Sequence, residues 1–145
     1  DLKPDNILVE ARKEGPFPKL LDFGLACVVS PAVRRPGGTI HWMAPEARKR
    51  LVKPRPSIDV YAFGLLLYYV TVGQEIRGDV KATLENQPNL DLDPNPSQLF
   101  LSWLLTMREC ASNDADKRPT TLNIYERLFL DRTLDEQGPL LGISL

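Results

Sequence analysis

The sequence predicts a mainly α, α+β domain, mostly helical with one short β-hairpin near its start. Three observations predict it. Val60 to Val72 carries no charge and no proline and is apolar almost all the way round, the mark of a helix buried on every face. Two later stretches, one closing at Cys110 and one near Tyr125, place leucines and aromatics at helical spacing,. Ahead of them, Ile7-Leu8-Val9 and Lys19-Leu20-Leu21 are short apolar runs with Gly15-Pro16 in the loop between them, the pattern of two hairpin strands.

From Asp22 to Glu46, Gly24, Pro31, Pro36, Gly37, Gly38 and Pro45 break any period, which predicts a long loop, ordered or mobile, of the length that is usually functional or disordered,. Arg48 to Pro56 is a basic, proline-rich connection. The apolar helix follows, with Ser57 as expected N-cap and Gly73 as expected left-handed C-cap,. Its apolar run would span about 20 Å against a hydrocarbon layer of about 30 Å, so it belongs in a core. Asp59 is an acid at the mouth of that apolar rod and calls for a partner. Asp79 to Asn86 reads as a short helix and Pro88 to Pro96 as an acidic linker. Pro96-Ser97 opens a helix with Leu101, Leu104, Leu105 and Arg108 on one face,. Asn113 to Pro119 reads as a turn. Thr121 is the expected cap of a last helix that buries Leu122, Tyr125, Leu128 and Phe129, and a weakly patterned tail begins at Asp131.

Composition narrows the functional classes. Eighteen basic against nineteen acidic residues give a net charge of −1, which argues against nucleic acid as a partner and against an anionic membrane surface. Two cysteines and one histidine are too few for a zinc site built from those ligands,. Unpaired cysteines, with no signal-peptide or membrane-span pattern, predict a cytoplasmic protein without direct membrane insertion. The first residue is Asp rather than Met, which suggests a piece of a longer chain.

The candidate chemistry collects at the hairpin. Asp1, Lys3 and Asn6 precede the first strand and Asp22 follows the second, so pairing of the strands brings Asn6 and Asp22 together. An amide oxygen and a carboxylate suit Mg²⁺, which takes hard oxygen ligands and keeps substrate phosphates in its shell. Asp1 could accept a proton or orient a hydroxyl, and Lys3 could neutralise phosphate charge. Taken singly, Asp5 and Asn6 are also turn formers and Asp22 merely begins a loop.

Jointly, the motifs resemble the protein kinase family. Asp1-Leu2-Lys3-Pro4-Asp5-Asn6 resembles the catalytic loop, Asp22-Phe23-Gly24 the magnesium-binding DFG, and Ala44-Pro45-Glu46 the APE that closes the activation segment,. Asp59-Val60-Tyr61-Ala62-Phe63-Gly64 and Lys117-Arg118-Pro119 follow in the family's order. The resemblance implies the C-terminal helical lobe of a kinase domain over residues 1–130 and a tail over 131–145. The N-terminal lobe and the His and Arg before the catalytic Asp are absent from this sequence, so the chain alone is expected to bind nucleotide poorly and not to turn over.

By the same resemblance ATP and Mg²⁺ are the implied cofactors and a protein Ser/Thr hydroxyl the acceptor. Asp1 would handle the hydroxyl proton and Lys3 the transferring phosphoryl group; Asn6 and Asp22 would hold Mg²⁺; Leu8 would lie beneath adenine. Phe23, next to Gly24, would pack into the core. Thr39 would bond with Asp1 and Lys3, Glu46 would pair with Arg118, and Asp59 would accept N–H bonds from the catalytic loop near Asp1. Lys3 and the run Gly38-Thr39-Ile40-His41-Trp42-Met43-Ala44-Pro45-Glu46 are most similar to serine/threonine kinases of the tyrosine-kinase-like branch. Ser30-Pro31 reads as a turn or a regulatory site, and Cys27 and His41 as plain loop residues. Tyr69, Gly73-Gln74-Glu75-Ile76 and Ala111 depart from the family pattern at positions concerned with substrate preference and surface docking. A non-catalytic kinase-like fragment or scaffold is the alternative class, and the joint presence of Asp1, Lys3, Asn6 and Asp22 favours catalysis.

Overall fold

The computed structural model describes residues 1–29, 32, 37–49, 51, 53–85 and 97–130. The expected Ser30-Pro31 site, the linker Pro88 to Pro96 and the tail from 131 lie outside the described residues. A 3-10 turn, Pro4–Asn6, leads into β1 (Ile7–Arg12), which pairs antiparallel with β2 (Gly15–Leu20) in a register running from Ile7↔Leu20 to Arg12↔Gly15. The strands are longer than the sequence suggests. Gly15 and Pro16 open β2 instead of forming the loop, and Lys13-Glu14 is the turn.

Strand alternation explains how β2 tolerates two prolines. Leu21 N–H donates to Asn6 O at 2.8 Å, which makes 6 and 21 a hydrogen-bonded pair. Alternation then puts Ala11↔Pro16 and Val9↔Pro18 in non-bonded pairs,. Both missing N–H groups therefore point to the open edge, where they cost no ladder bond.

The following loop settles into two short 3-10 turns, Ile40–Trp42 and Pro45–Arg48, before α1 (Pro56–Val72). Pro56, not Ser57, is the first helical residue, and Arg55 holds the N-cap position without a side-chain cap. A proline fits there because the first N–H has no helical acceptor. Gly73 adopts φ 75° and donates its N–H to Tyr69 O at 2.7 Å, so the helix ends in the left-handed cap expected of it,. None of residues 60–69 is exposed, and Tyr61, Leu65, Leu67 and Tyr68 join Trp42, Leu104 and Met107 in the main core.

After α2 (Val80–Glu85), α3 (Gln98–Cys110) packs along α1. Its buried residues are Leu104, Thr106, Met107 and Cys110, whereas Leu101 and Leu105 are exposed. The expected face is thus rotated, and Gly64 shows why. A Cβ built on Gly64 would stand 2.8 Å from both Ala111 N and Cys110 Cβ, so the helices meet backbone to backbone there and fix which side of α3 faces inward. Farther along the pair, Trp103 Nε1 donates to Thr71 Oγ1 at 2.9 Å, and Thr71 Oγ1 donates to Leu67 O.

The last helix, α4 (Thr121–Tyr125), continues as a π turn, Glu126–Leu130. Thr120, one residue before the expected cap, accepts from Asn123 N while Asn123 Oδ1 accepts from Thr120 N, a reciprocal capping box,. Ile124 and Leu128 are the buried positions, packing on Val60 and Cys110. Of the expected face only Leu128 is inside; Leu122, Tyr125 and Phe129 point outward, with Tyr125 and Phe129 stacked at 5.5 Å. Among the described residues no helix is long and apolar enough to cross a membrane.

Two outcomes are expected. Gly64→Ala forces the α1–α3 backbones apart and should cost about 1–3 kcal/mol in urea unfolding; an unchanged midpoint contradicts the close approach. Burial pushes the Cys110 thiol up to about 12, whereas Cys27 is exposed. Native alkylation followed by mass spectrometry should therefore label Cys27 alone, and denaturation should add Cys110.

Candidate active site

The open end of the hairpin assembles the first part of the site. The 6/21 bond sets Asn6 and Asp22 on neighbouring strand ends. Asn6 Nδ2 donates to Asp1 O at 2.7 Å. A carbonyl can only accept, so the amide nitrogen has to face Asp1 and the amide oxygen is turned outward as an acceptor. Asp22 is the one non-glycine with positive φ, 55°, among the described residues, and its Oδ1 accepts from Gly24 N at 3.0 Å. That bond holds the carboxylate over the turn and leaves Oδ2 for another ligand.

A second group closes a ring of contacts around Asp1. Thr39 N donates to Asp1 Oδ1 at 2.8 Å, and Lys3 Nζ reaches Asp1 Oδ2 at 3.1 Å. Lys3 Nζ also donates to Thr39 Oγ1 at 2.7 Å, and that hydroxyl stands 3.4 Å from Asp1 Oδ2. The Asp1 and Lys3 side chains are only 14% and 19% exposed, so the attraction between them is less screened than in a surface pair. An ammonium has three donors; two are used here and the third is available to a substrate oxygen.

Asp1, Asn6, Asp22 and Asp59 line one cleft of about 560 Å³, walled on its apolar side by Leu20, Leu21 and Leu25. Three sequence expectations change at this cleft. Phe23 lines it and is 68% exposed, instead of packing into the core. Leu8 is half exposed on β1 and does not line the cleft, because strand alternation turns it from the face that carries the lining Leu20. Asp59 is exposed in the first turn of α1, and among the described residues no N–H from residues 1–6 reaches it. There it complements the helix dipole.

The far side of the site is tied down by Arg118. Its Nη1 and Nη2 donate to Glu46 Oε1 and Oε2 at 2.6 and 2.9 Å, a bidentate pair,. Nη1 also donates to Ser57 O and Nε to Ser112 O, and the guanidinium lies 4.9 Å from the centre of the Tyr61 ring. The Arg118 side chain has no exposure and that of Glu46 has 23%. Burial alone would raise the Glu46 carboxyl. The Arg118 hydrogen bonds outweigh it, and the group lies below its ordinary value,. The carbonyls of Ser57 and Ser112 carry no sequence signal, since any residue could supply them.

The protein kinase domain model matches residues 1–130. The chain belongs to the protein kinase family. Among its relatives, a probable serine/threonine-protein kinase of Dictyostelium discoideum is 30% identical over 134 residues, covering 90% of this chain and 12% of that protein. Serine/threonine-protein kinase PkaA of Streptomyces coelicolor is 32% identical over 134 residues, covering 88% and 24%. Receptor-interacting serine/threonine-protein kinase 3 of Rattus norvegicus is 31% identical over 152 residues, covering 86% and 31%. The chain thus spans less than a third of the length of each of these three kinases.

For this kinase-family chain the Glu46–Arg118 pair yields a direct test. Glu46→Ala strands a buried guanidinium and should cost about 3 kcal/mol, the lower end for a broken buried pair because Glu46 is partly exposed. Since the folded carboxyl is lowered from 4.5, its stabilisation is fully present above that value and is lost as pH falls through 4.5 toward the folded value. Thermal unfolding should therefore show an acid-side loss that Glu46→Gln lacks.

Proposed function

We propose that this chain is the C-terminal lobe of a serine/threonine protein kinase that transfers the γ-phosphoryl group of Mg-ATP to a protein hydroxyl. The observation that carries the proposal is the ring of Asp1, Lys3 and Thr39 at a cleft that also holds Asn6 and Asp22. Asp1 accepts the proton of the acceptor hydroxyl as its oxygen bonds to the γ-phosphorus and the bond to the ADP oxygen breaks. Lys3, held by Thr39 and Asp1, directs its remaining N–H at the phosphoryl oxygens.

The donor set suits Mg²⁺. Asn6 turns an amide oxygen outward and Asp22 keeps one carboxylate oxygen uncommitted, both hard ligands,. Among the described residues no three of His, Cys, Asp and Glu form a metal cage, which fits an ion that completes its shell with phosphate and water. When bound, Mg²⁺ neutralises phosphate charge. The run Gly38 to Glu46 supports placement in the tyrosine-kinase-like branch, and the free cysteines support a cytoplasmic location.

The test uses the full-length protein that contains this chain, assayed for phosphoryl transfer from Mg-ATP to Ser/Thr peptides. Asp1→Asn should lower kcat by about 10²–10⁴-fold, and Asp22→Asn should raise the KM for Mg-ATP. Full activity in Asp1→Asn, or no transfer by the unsubstituted protein, overturns the catalytic reading and leaves the scaffold reading in its place.

A further inference from the structure

Gly38 stands immediately before Thr39 with φ +119°, a conformation that side chains other than glycine rarely adopt. Its second property is its distance from the carboxylate. A Cβ built on Gly38 would lie 3.1 Å from Asp1 Oδ1, 3.5 Å from Cγ and 3.6 Å from Cβ. Asp1 Oδ1 is also the atom that accepts the Thr39 N–H at 2.8 Å. A methyl group at 38 would therefore press on the oxygen that the next residue's backbone holds. The carboxylate has little freedom to retreat, because Lys3 Nζ sits on Oδ2 at 3.1 Å and Asn6 Nδ2 holds the Asp1 carbonyl at 2.7 Å.

The contacts of Thr39 divide accordingly. Its hydroxyl bonds closely to Lys3, at 2.7 Å, and only distantly to Asp1, at 3.4 Å. Its backbone N–H makes the short contact to Asp1. Aim of the Asp1 carboxylate thus depends on how near the backbone of residues 38 and 39 approaches, and that approach requires a bare Cα at 38. We infer that Gly38 is a positioning residue for phosphoryl transfer: by lacking a side chain it lets the Thr39 N–H close on Asp1 Oδ1 and hold the carboxylate at the acceptor hydroxyl. The inference rests on the kinase reading above.

Gly78 supplies the control. It has a similar φ, +132°, but nothing lies within 4 Å of its built Cβ. Gly78→Ala therefore introduces comparable backbone strain with no contact to the site. In the full-length protein, Gly38→Ala should lower kcat about 10–100-fold, the scale of a misplaced catalytic group, with KM for Mg-ATP unchanged and faster hydrogen exchange at the Thr39 amide. Gly78→Ala should lose comparable thermal stability yet keep kcat and Thr39 protection. Unchanged kcat in Gly38→Ala, or an equal loss in Gly78→Ala, overturns the inference. If Gly38→Ala does not fold, adding Asp1→Ala removes the crowded carboxylate and should restore folding; failure to do so also overturns it. Should the unsubstituted protein transfer no phosphoryl group, the kinase reading falls by itself. Thr39 exchange then decides the contact: faster exchange in Gly38→Ala alone supports its dependence on a bare Cα, and unchanged exchange overturns it.

Discussion

A guanidinium with no solvent exposure has to find all its partners inside the protein, and Arg118 finds them on three separate pieces of chain. Glu46 comes from the end of the long loop, the Ser57 carbonyl from the start of α1, and the Ser112 carbonyl from the turn after α3. Four of its five N–H donors are used, and the Tyr61 ring lies beneath it,. A charge buried this way does little for net stability compared with a well-packed apolar cluster, but it admits only one arrangement of those pieces. The loop that carries Thr39 is thereby anchored at its Glu46 end to the helical core.

The other end of that loop leaves the hairpin at Asp22. Between the two anchors, Gly38 and Thr39 lie against Asp1. The hairpin end and the anchored loop are thus joined through one carboxylate. Thr39 N–H holds its Oδ1 and Lys3 Nζ its Oδ2, and Lys3 and Thr39 are themselves hydrogen-bonded. The balance between them matters because the Asp1 side chain is largely shielded, where a lost hydrogen bond is not replaced freely by water.

The apolar residues at the hairpin end follow a different rule from the core. Leu8, Val9, Leu20, Leu21, Phe23 and Leu25 are all at least 45% exposed, although Phe23 is expected to pack into the core. Periodicity reports which residues share a face, and it is silent on whether that face is covered. The same limit explains α3 and α4. Leu101 and Leu105 lie on a true helical stripe, as do Leu122, Tyr125 and Phe129, yet the residues that pack are Leu104, Met107 and Cys110 on one helix and Ile124 and Leu128 on the other. For α3 the choice was made at Gly64, where the absence of a side chain admits Cys110 and Ala111.

The sequence by itself determined the elements and the order of the motif residues. An uncharged apolar run had to be a buried helix, Gly73 had to end it, two short runs had to pair, and Asp1, Lys3, Asn6, Asp22, Glu46 and Arg118 stand in motif order. These are properties of local pattern, which one chain displays openly. Tertiary structure decided the rest: the exposed Asp59, the buried faces of α3 and α4, the carbonyls around Arg118 and the approach of Gly38 to Asp1. Each depends on distances between segments far apart in the chain, and neither a backbone carbonyl nor a missing Cβ leaves a signal in sequence until its neighbour is known.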